Sequence, residues 1–324
     1  MTQNAIVKWT FGIAVLITAA WWVNWLLNST EPLLPANATL EKVVGDLNFS
    51  EGPAWNPNEQ YLLFEDTPRN RMMKLDRDGK VSVFREPSGR SNGLAWDAEG
   101  RLVVCEGNSG GNRRVTRTGK DGIISVLADE YDGKRLNSPN DLTIDRKGRI
   151  YFTDPRYSKR EDLELDKEAV YRIDPDGKLT RIIDSLTRPN GIVVTRDGKT
   201  LYLADTAPGS VAALVAFDLD DKGDAKKPRV IYDFVEGRGI DGMVLDHKGR
   251  IWAAAGTKEK AGIYVLEPDG KRAKARMVTV VKTPEDPTNV TFGGKERDLL
   301  YITTTASLFR IQTAVKGQAS PPGK

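Results

Sequence analysis

The chain has 324 residues with 48 Lys and Arg against 45 Asp and Glu, a net charge of +3, and it lacks a dense basic block. That balance argues against a nucleic-acid partner, which a run of basic side chains would track along its phosphates. One cysteine, Cys105, and one histidine, His247, exclude an internal disulfide, a cysteine-held metal cluster and paired-histidine chemistry. The length suits one large all-β domain or two ordinary ones.

Residues 1–8 read as a short N-terminal tail. From Trp9 to Leu27 the chain is apolar except for Thr10, Thr18 and Asn24, and at ~1.5 Å rise per residue it spans roughly 28 Å, one bilayer core. Residues 9–27 therefore read as a transmembrane helix, an anchor or an uncleaved signal. A cleaved signal peptide is the alternative, with Thr18-Ala19-Ala20 as a poor cleavage site. Trp9 at one end and Trp21, Trp22 and Trp25 at the other resemble interfacial belts, and Lys8 before the span favours an amino terminus on the inside. The expected placement is membrane-anchored, with the globular part facing the periplasm or the extracellular side. Residues 28–38, with Pro32 and Pro35, read as a linker.

Beyond the linker the chain repeats. Short apolar strands follow turns at Tyr61-Leu62-Leu63-Phe64, Leu102-Val103-Val104, Ile150-Tyr151-Phe152, Leu201-Tyr202-Leu203, Ile251-Trp252-Ala253 and Leu300-Tyr301-Ile302. A second turn recurs later in the units, as Asp76-Arg77-Asp78-Gly79, Asp174-Pro175-Asp176-Gly177 and Glu267-Pro268-Asp269-Gly270. Two hairpin turns per unit make a four-stranded blade, and the repeat length is that of propeller blades. The expectation is an all-β, six-bladed β-propeller over residues 39–313, with few and short helices and a tail at 314–324. The last unit ends one strand short at Leu308-Phe309-Arg310-Ile311, whereas an extra strand candidate, residues 40–44, precedes the first, so the two ends should close the ring together.

Aligning the units on their first strand brings Glu51, Asn92, Asn140, Asn190, Asp241 and Asn289 into register, 41, 48, 50, 51 and 48 residues apart. All six are acidic or amide side chains at the opening of the strand nearest the axis, and radial repetition aims them at the central channel. Oxygen donors without histidine or cysteine suit a hard divalent cation, calcium first because it accepts amide oxygens and loose geometry, with Mg2+, Mn2+ and Zn2+ as alternatives. Against this, Asn-Gly and Asp-Gly are ordinary turn dipeptides that recur for backbone reasons. Elsewhere, His247 reads as a solvated turn residue, Cys105 as a buried small hydrophobe, and Arg113, Arg114 and Arg117 as a solvated face.

With Ser50-Glu51-Gly52-Pro53-Ala54-Trp55, Asn137-Ser138-Pro139-Asn140-Asp141-Leu142, Phe152-Thr153-Asp154-Pro155, Arg188-Pro189-Asn190-Gly191-Ile192 and Ile240-Asp241-Gly242-Met243, residues 40–311 resemble the SMP-30/gluconolactonase/LRE-like (regucalcin-like) family. The resemblance implies a six-bladed propeller with one catalytic divalent cation held by Glu51, Asn140, Asn190 and Asp241, and Asp241 as the base. It leaves Asn92 and Asn289 for substrate contact, and Asn137, Asp154 and Tyr157 join them as loop candidates. The implied activity is metal-dependent hydrolysis of a lactone or similar small ester. Two alternatives remain: hydrolysis of an organophosphate or another ester at the same site, and a non-catalytic, strictosidine-synthase-like binding propeller. A small-molecule substrate and the membrane are the expected partners, with no protein partner.

Overall fold

The computed structural model describes residues 31–107, 109–157, 159–206, 212–234 and 238–319. Six antiparallel four-stranded sheets make up the propeller. Blades 1 to 5 each run in chain order from the inner to the outer strand, over residues 50–85, 94–128, 142–183, 189–234 and 240–282. Blade 6 takes Pro287–Gly293, Leu299–Thr304 and Leu308–Gln312 from the end of the chain and Glu41–Val44 from its beginning. Glu41 pairs with Arg310, Lys42 with Phe309 and Val44 with Leu308, so the ring closes through the two ends of the repeat region, as the sequence implied. A small hairpin, Glu130–Tyr131 with Lys134–Arg135, and two short 3-10 helices, Thr67–Arg69 and Lys258–Lys260, complete the described elements.

Each second strand is buried on both faces, which is why it reads as an unbroken apolar run. In Thr200–Asp205, Leu201 and Leu203 pack toward blade 3 with Tyr151 and Val170. Tyr202 and Ala204 pack toward blade 5 with Ile251 and Ala253. One apolar cluster fills each interblade wedge in this way, six among the described residues. The turns after the inner strands share an aspartate brace. Asp145 Oδ1 accepts from the backbone N–H groups of Lys147 and Arg149 at 2.8 and 3.0 Å, while Oδ2 takes the Arg149 Nε–H at 2.6 Å. Asp246 repeats the arrangement with Lys248 and Arg250.

The expected membrane span, residues 9–27, lies outside the described residues. Among those described, no helix is long and apolar enough to cross a membrane. The stretch after it lies against the propeller: Leu33 is buried in the cluster between blades 5 and 6, its carbonyl accepts from Ala314 N at 2.9 Å, and Glu31 pairs with Lys248 at 2.6 Å. At the other end, residues 314–319 cross one mouth of the axial channel. Gln318 donates its backbone N–H to Leu245 O at 2.8 Å and its side-chain amide to Val194 O at 3.1 Å.

Candidate functional site

The six aligned residues sit where each chain segment enters its inner strand, and all are buried, with 2% of Glu51 and 9% of Asn140 exposed. In blades 1, 4, 5 and 6 the pairing of the inner strand is interrupted at this point, between Glu51 and Ala54, Pro189 and Ile192, Ile240 and Met243, and Pro287 and Asn289. Such bulges re-aim a side chain out of the sheet, here toward the axis. Two chains of hydrogen bonds link the ring. Asn140 Nδ2 donates to Asn190 Oδ1 at 2.7 Å, and Asn190 Nδ2 donates to Asp241 Oδ1 at 2.8 Å. Across the closing seam, Asn289 Nδ2 donates to Glu51 Oε2 at 3.2 Å.

The dipeptide Asn-Gly or Asp-Gly marks no turn here. Gly52, Gly191 and Gly242 lie within inner strands. In blades 1, 2, 4 and 5 the residue after the ring member is a glycine, because the next blade's ring member is pressed against it. A Cβ on Gly191 would meet Asp241 O at 2.1 Å, and one on Gly242 would meet Asn289 Oδ1 at 2.0 Å. Glycine thus sets the bore of the ring by permitting close backbone approach. Blades 3 and 6 depart from this pattern by placing Asp141 after Asn140 and Val290 after Asn289.

Asp141 is a site residue that the alignment passed over. It is buried, lines the channel, and accepts from Leu142 N at 2.9 Å and Ile192 N at 3.4 Å. Burial raises its carboxyl well above the usual range, and the Glu51 charge adds to the shift. Burial likewise raises the Glu51 carboxyl, against the lowering effects of the Gly52 N–H, the Asn289 amide and the Arg238 charge. Arg238, also unforeseen, ion-pairs through Nη2 with Asp241 Oδ2 and points Nη1 at Pro287 O, 3.4 Å away.

Below the ring the channel widens into a cavity of about 480 Å³ that reaches from Gly52, Asp141 and Asn289 to Asn58, Arg297 and Gln318. Gln318 stands at its far end, so the ring faces the opposite mouth, where the loops between blades gather. Tyr157 lies on that rim, half-exposed, its hydroxyl 3.2 Å from Thr206 Oγ1 and its ring under the Arg188 guanidinium at 5.3 Å. Asn137 and Asp154 are fully buried and face each other. Asp154 Oδ2 and Oδ1 accept from the N–H groups of Asn137 and Ser138 at 2.8 and 2.6 Å, and Asn137 Nδ2 donates to Asp154 O and Lys167 O. They brace the loop that delivers Asn140, and burial lifts the Asp154 carboxyl to about 7.

Cys105 is fully buried, as expected, and burial raises its thiol. The arginine cluster is not the solvated face it resembles: Arg113 is buried and donates to Leu136 O at 2.6 Å, Arg114 pairs with buried Glu106 at 2.8 Å, and Arg117 approaches Asp97 at 3.4 Å. Alternation alone cannot reveal that a loop or a neighbouring turn covers a charged strand face.

The donor set fits a hard divalent cation. Among the described residues no three carboxylate, imidazole or thiol groups cluster into a site by themselves, so amide oxygens would have to complete the coordination, as calcium tolerates. Two buried ring carboxylates whose nearest positive charge is a single guanidinium are the electrostatic counterpart of that requirement.

Residues 49–306 match the profile of the SMP-30/Gluconolactonase/LRE-like region. A gluconolactonase of Zymomonas mobilis is 30% identical over 312 residues, covering 89% of this chain and 85% of its own. The solved structure of a gluconolactonase from Xanthomonas campestris is 34% identical, covers 87% of this chain and 91% of its own, and superposes with a TM-score of 0.77. Regucalcin of Xenopus laevis is 27% identical over 270 residues, covering 82% of this chain and 86% of its own. The bulged inner strands, the ring they build and these likenesses agree: the chain belongs to the SMP-30/gluconolactonase/LRE-like family.

Proposed function

We propose that the protein is a divalent-metal-dependent hydrolase that opens a lactone, with calcium as the ion. The observation that carries this reading is the buried, hydrogen-bonded ring that brings Glu51, Asn140, Asn190 and Asp241 together at the blades' inner strands; gluconolactonases among the relatives support the choice of substrate class. Glu51, Asn140, Asn190 and Asp241 would hold the cation, which supplies Lewis acidity toward the lactone carbonyl.

The side chains divide the remaining work. Asn140 and Asn190 are neutral at every pH and are oriented by the relay that ends on Asp241 Oδ1, so they fix geometry without adding charge. Asp241 takes the proton from the attacking water, the role of a carboxylate within hydrogen-bond reach of the reacting centre. Asn92 and Asn289, amides on the same ring, orient the hydroxyls of a sugar-derived ring, and Tyr157 on the rim covers its outer face. With residues 314–319 crossing the far mouth, the loop-bearing face is the route for entry of substrate.

The test is hydrolysis of a panel of sugar lactones by the full chain, with calcium, with a chelator and as Asp241→Ala. Ring opening should require the metal and fall by at least ~10²-fold in the variant, the scale of losing a general base. Turnover that survives chelation, or an unaffected Asp241→Ala variant, refutes the assignment.

A further inference from the structure

We infer that Arg238 is a resident counter-cation of the ring, pairing with Asp241 when no divalent ion is bound and competing with that ion for the same carboxylate. The inference rests on the metal site proposed above and concerns a residue outside it. Asp241 has two oxygens: Oδ1 accepts from Asn190 Nδ2 at 2.8 Å, and Oδ2 holds the Arg238 guanidinium. Both are therefore engaged, and the one an incoming cation needs is covered by a positive charge.

The guanidinium is placed to do this by its position three residues ahead of Asp241, and its Nη1 points back at Pro287 O, on the approach to blade 6. Its charge also reaches Glu51, the other ring carboxylate. The nearby Arg188 is occupied elsewhere, over Tyr157 and 3.5 Å from Glu168 Oε2. A calcium ion at the ~2.3–2.6 Å distance of a carboxylate ligand leaves no room for a guanidinium on the same oxygen and repels it. Ion binding must expel Arg238, whose side chain is 29% exposed and has solvent to move into. Linkage then requires the reverse: removing the guanidinium favours the ion by as much as the pair disfavours it.

Calcium titration of the full chain by calorimetry at pH 7.5 tests this with wild type, Arg238→Met, Arg238→Lys and Asp241→Asn. Arg238→Met should tighten calcium binding by about tenfold or more, the scale of one charge-assisted hydrogen bond, whereas Arg238→Lys should stay near wild type. The gain should vanish in the Asp241→Asn background. Wild-type calcium affinity in a folded Arg238→Met variant, or weaker binding, overturns the competition while leaving the metal site standing. Absence of calcium binding in both wild type and Arg238→Met overturns the metal site and the competition together. Circular dichroism separates misfolding from either outcome, with Arg238→Lys as the second probe.

Discussion

Gly191→Ala adds one methyl group at the point where blades 4 and 5 meet around the axis. Its Cβ would stand 2.1 Å from Asp241 O, when ordinary contact begins at 3.4 Å, so more than 1 Å must be recovered by moving backbone. The φ of Gly191 is outside the left-handed region, so the backbone itself accepts alanine. All of the cost is steric. Overpacking costs about 1–3 kcal/mol, and the upper end applies because the obstacle is a carbonyl in a bulged strand. At ~2.1 cal/mol/K per residue over roughly 280 propeller residues, the unfolding entropy is about 0.6 kcal/mol/K, and 3 kcal/mol lowers Tm by about 5 °C. The site should suffer more than the fold: the Asn190–Asp241 bond spans the same joint, and a shift of ~1 Å costs on the order of 10²-fold in rate. Scanning calorimetry and lactone turnover measure the two effects. Gly270→Ala is the control, since its Cβ meets nothing within 4 Å, and its Tm should hold or rise. A Gly191→Ala protein with wild-type Tm and turnover refutes the claim that glycine sets the bore of the ring.

Glu65 supplies a pH test. It is fully buried in the wedge between blades 1 and 2, and burial lifts its carboxyl from 4.5 to about 8 against the lowering effects of the neighbouring Ser91 and Ser88 hydroxyls and the Arg85 charge. Below pH ~4.5 it is protonated in the folded and unfolded chain; as pH rises toward ~8 the unfolded chain ionises first, and stability is lost by on the order of 3–5 kcal/mol. Glu65→Gln should therefore denature later than wild type in urea at pH 8, with the advantage shrinking at pH 5; an equal loss at both pH values contradicts the account. At the seam, Leu308 is fully buried against Leu62, Phe64 and Tyr301. Leu308→Ala should cost about 2–5 kcal/mol by urea melt, against less than ~0.5 kcal/mol for Ile123→Ala at a site 67% exposed.

The six blades and the ring were legible because each is written once per repeat, and repetition averages out the ambiguity of any single strand; the shared seam was legible from a last unit one strand short and a spare strand ahead of the first. The phase of Glu51, Asn92, Asn140, Asn190, Asp241 and Asn289 relative to the second strands was enough to place them on the axis. The reason for the glycines was not: Asn-Gly spells a turn locally, and only the neighbouring blade reveals that the glycine makes room. Arg238 and Asp141 escaped for the opposite reason, since each occurs once and breaks the repeat rather than obeying it. Asp141 did leave a signal, a carboxylate where four blades carry glycine. Asn137 and Asp154 stand near the ring in sequence, yet their hydrogen bonds close on each other, a partnership that no spacing encodes.

The seam also sets a timetable for the newborn chain. Arg310 and Glu41, joined at 2.8 Å, are 269 residues apart in sequence, an interval of roughly 13–54 s at a synthesis rate of ~5–20 residues per second. Throughout that interval Glu41–Val44 has no sheet to join, and blades 1 to 5 can assemble only as an open arc with a bare strand edge. The ring carboxylate Glu51 and its partner Asn289 meet only when the arc shuts. A ribosome-bound chain is thus a stack of blades without an axial site, and the site comes into being in the last act of folding.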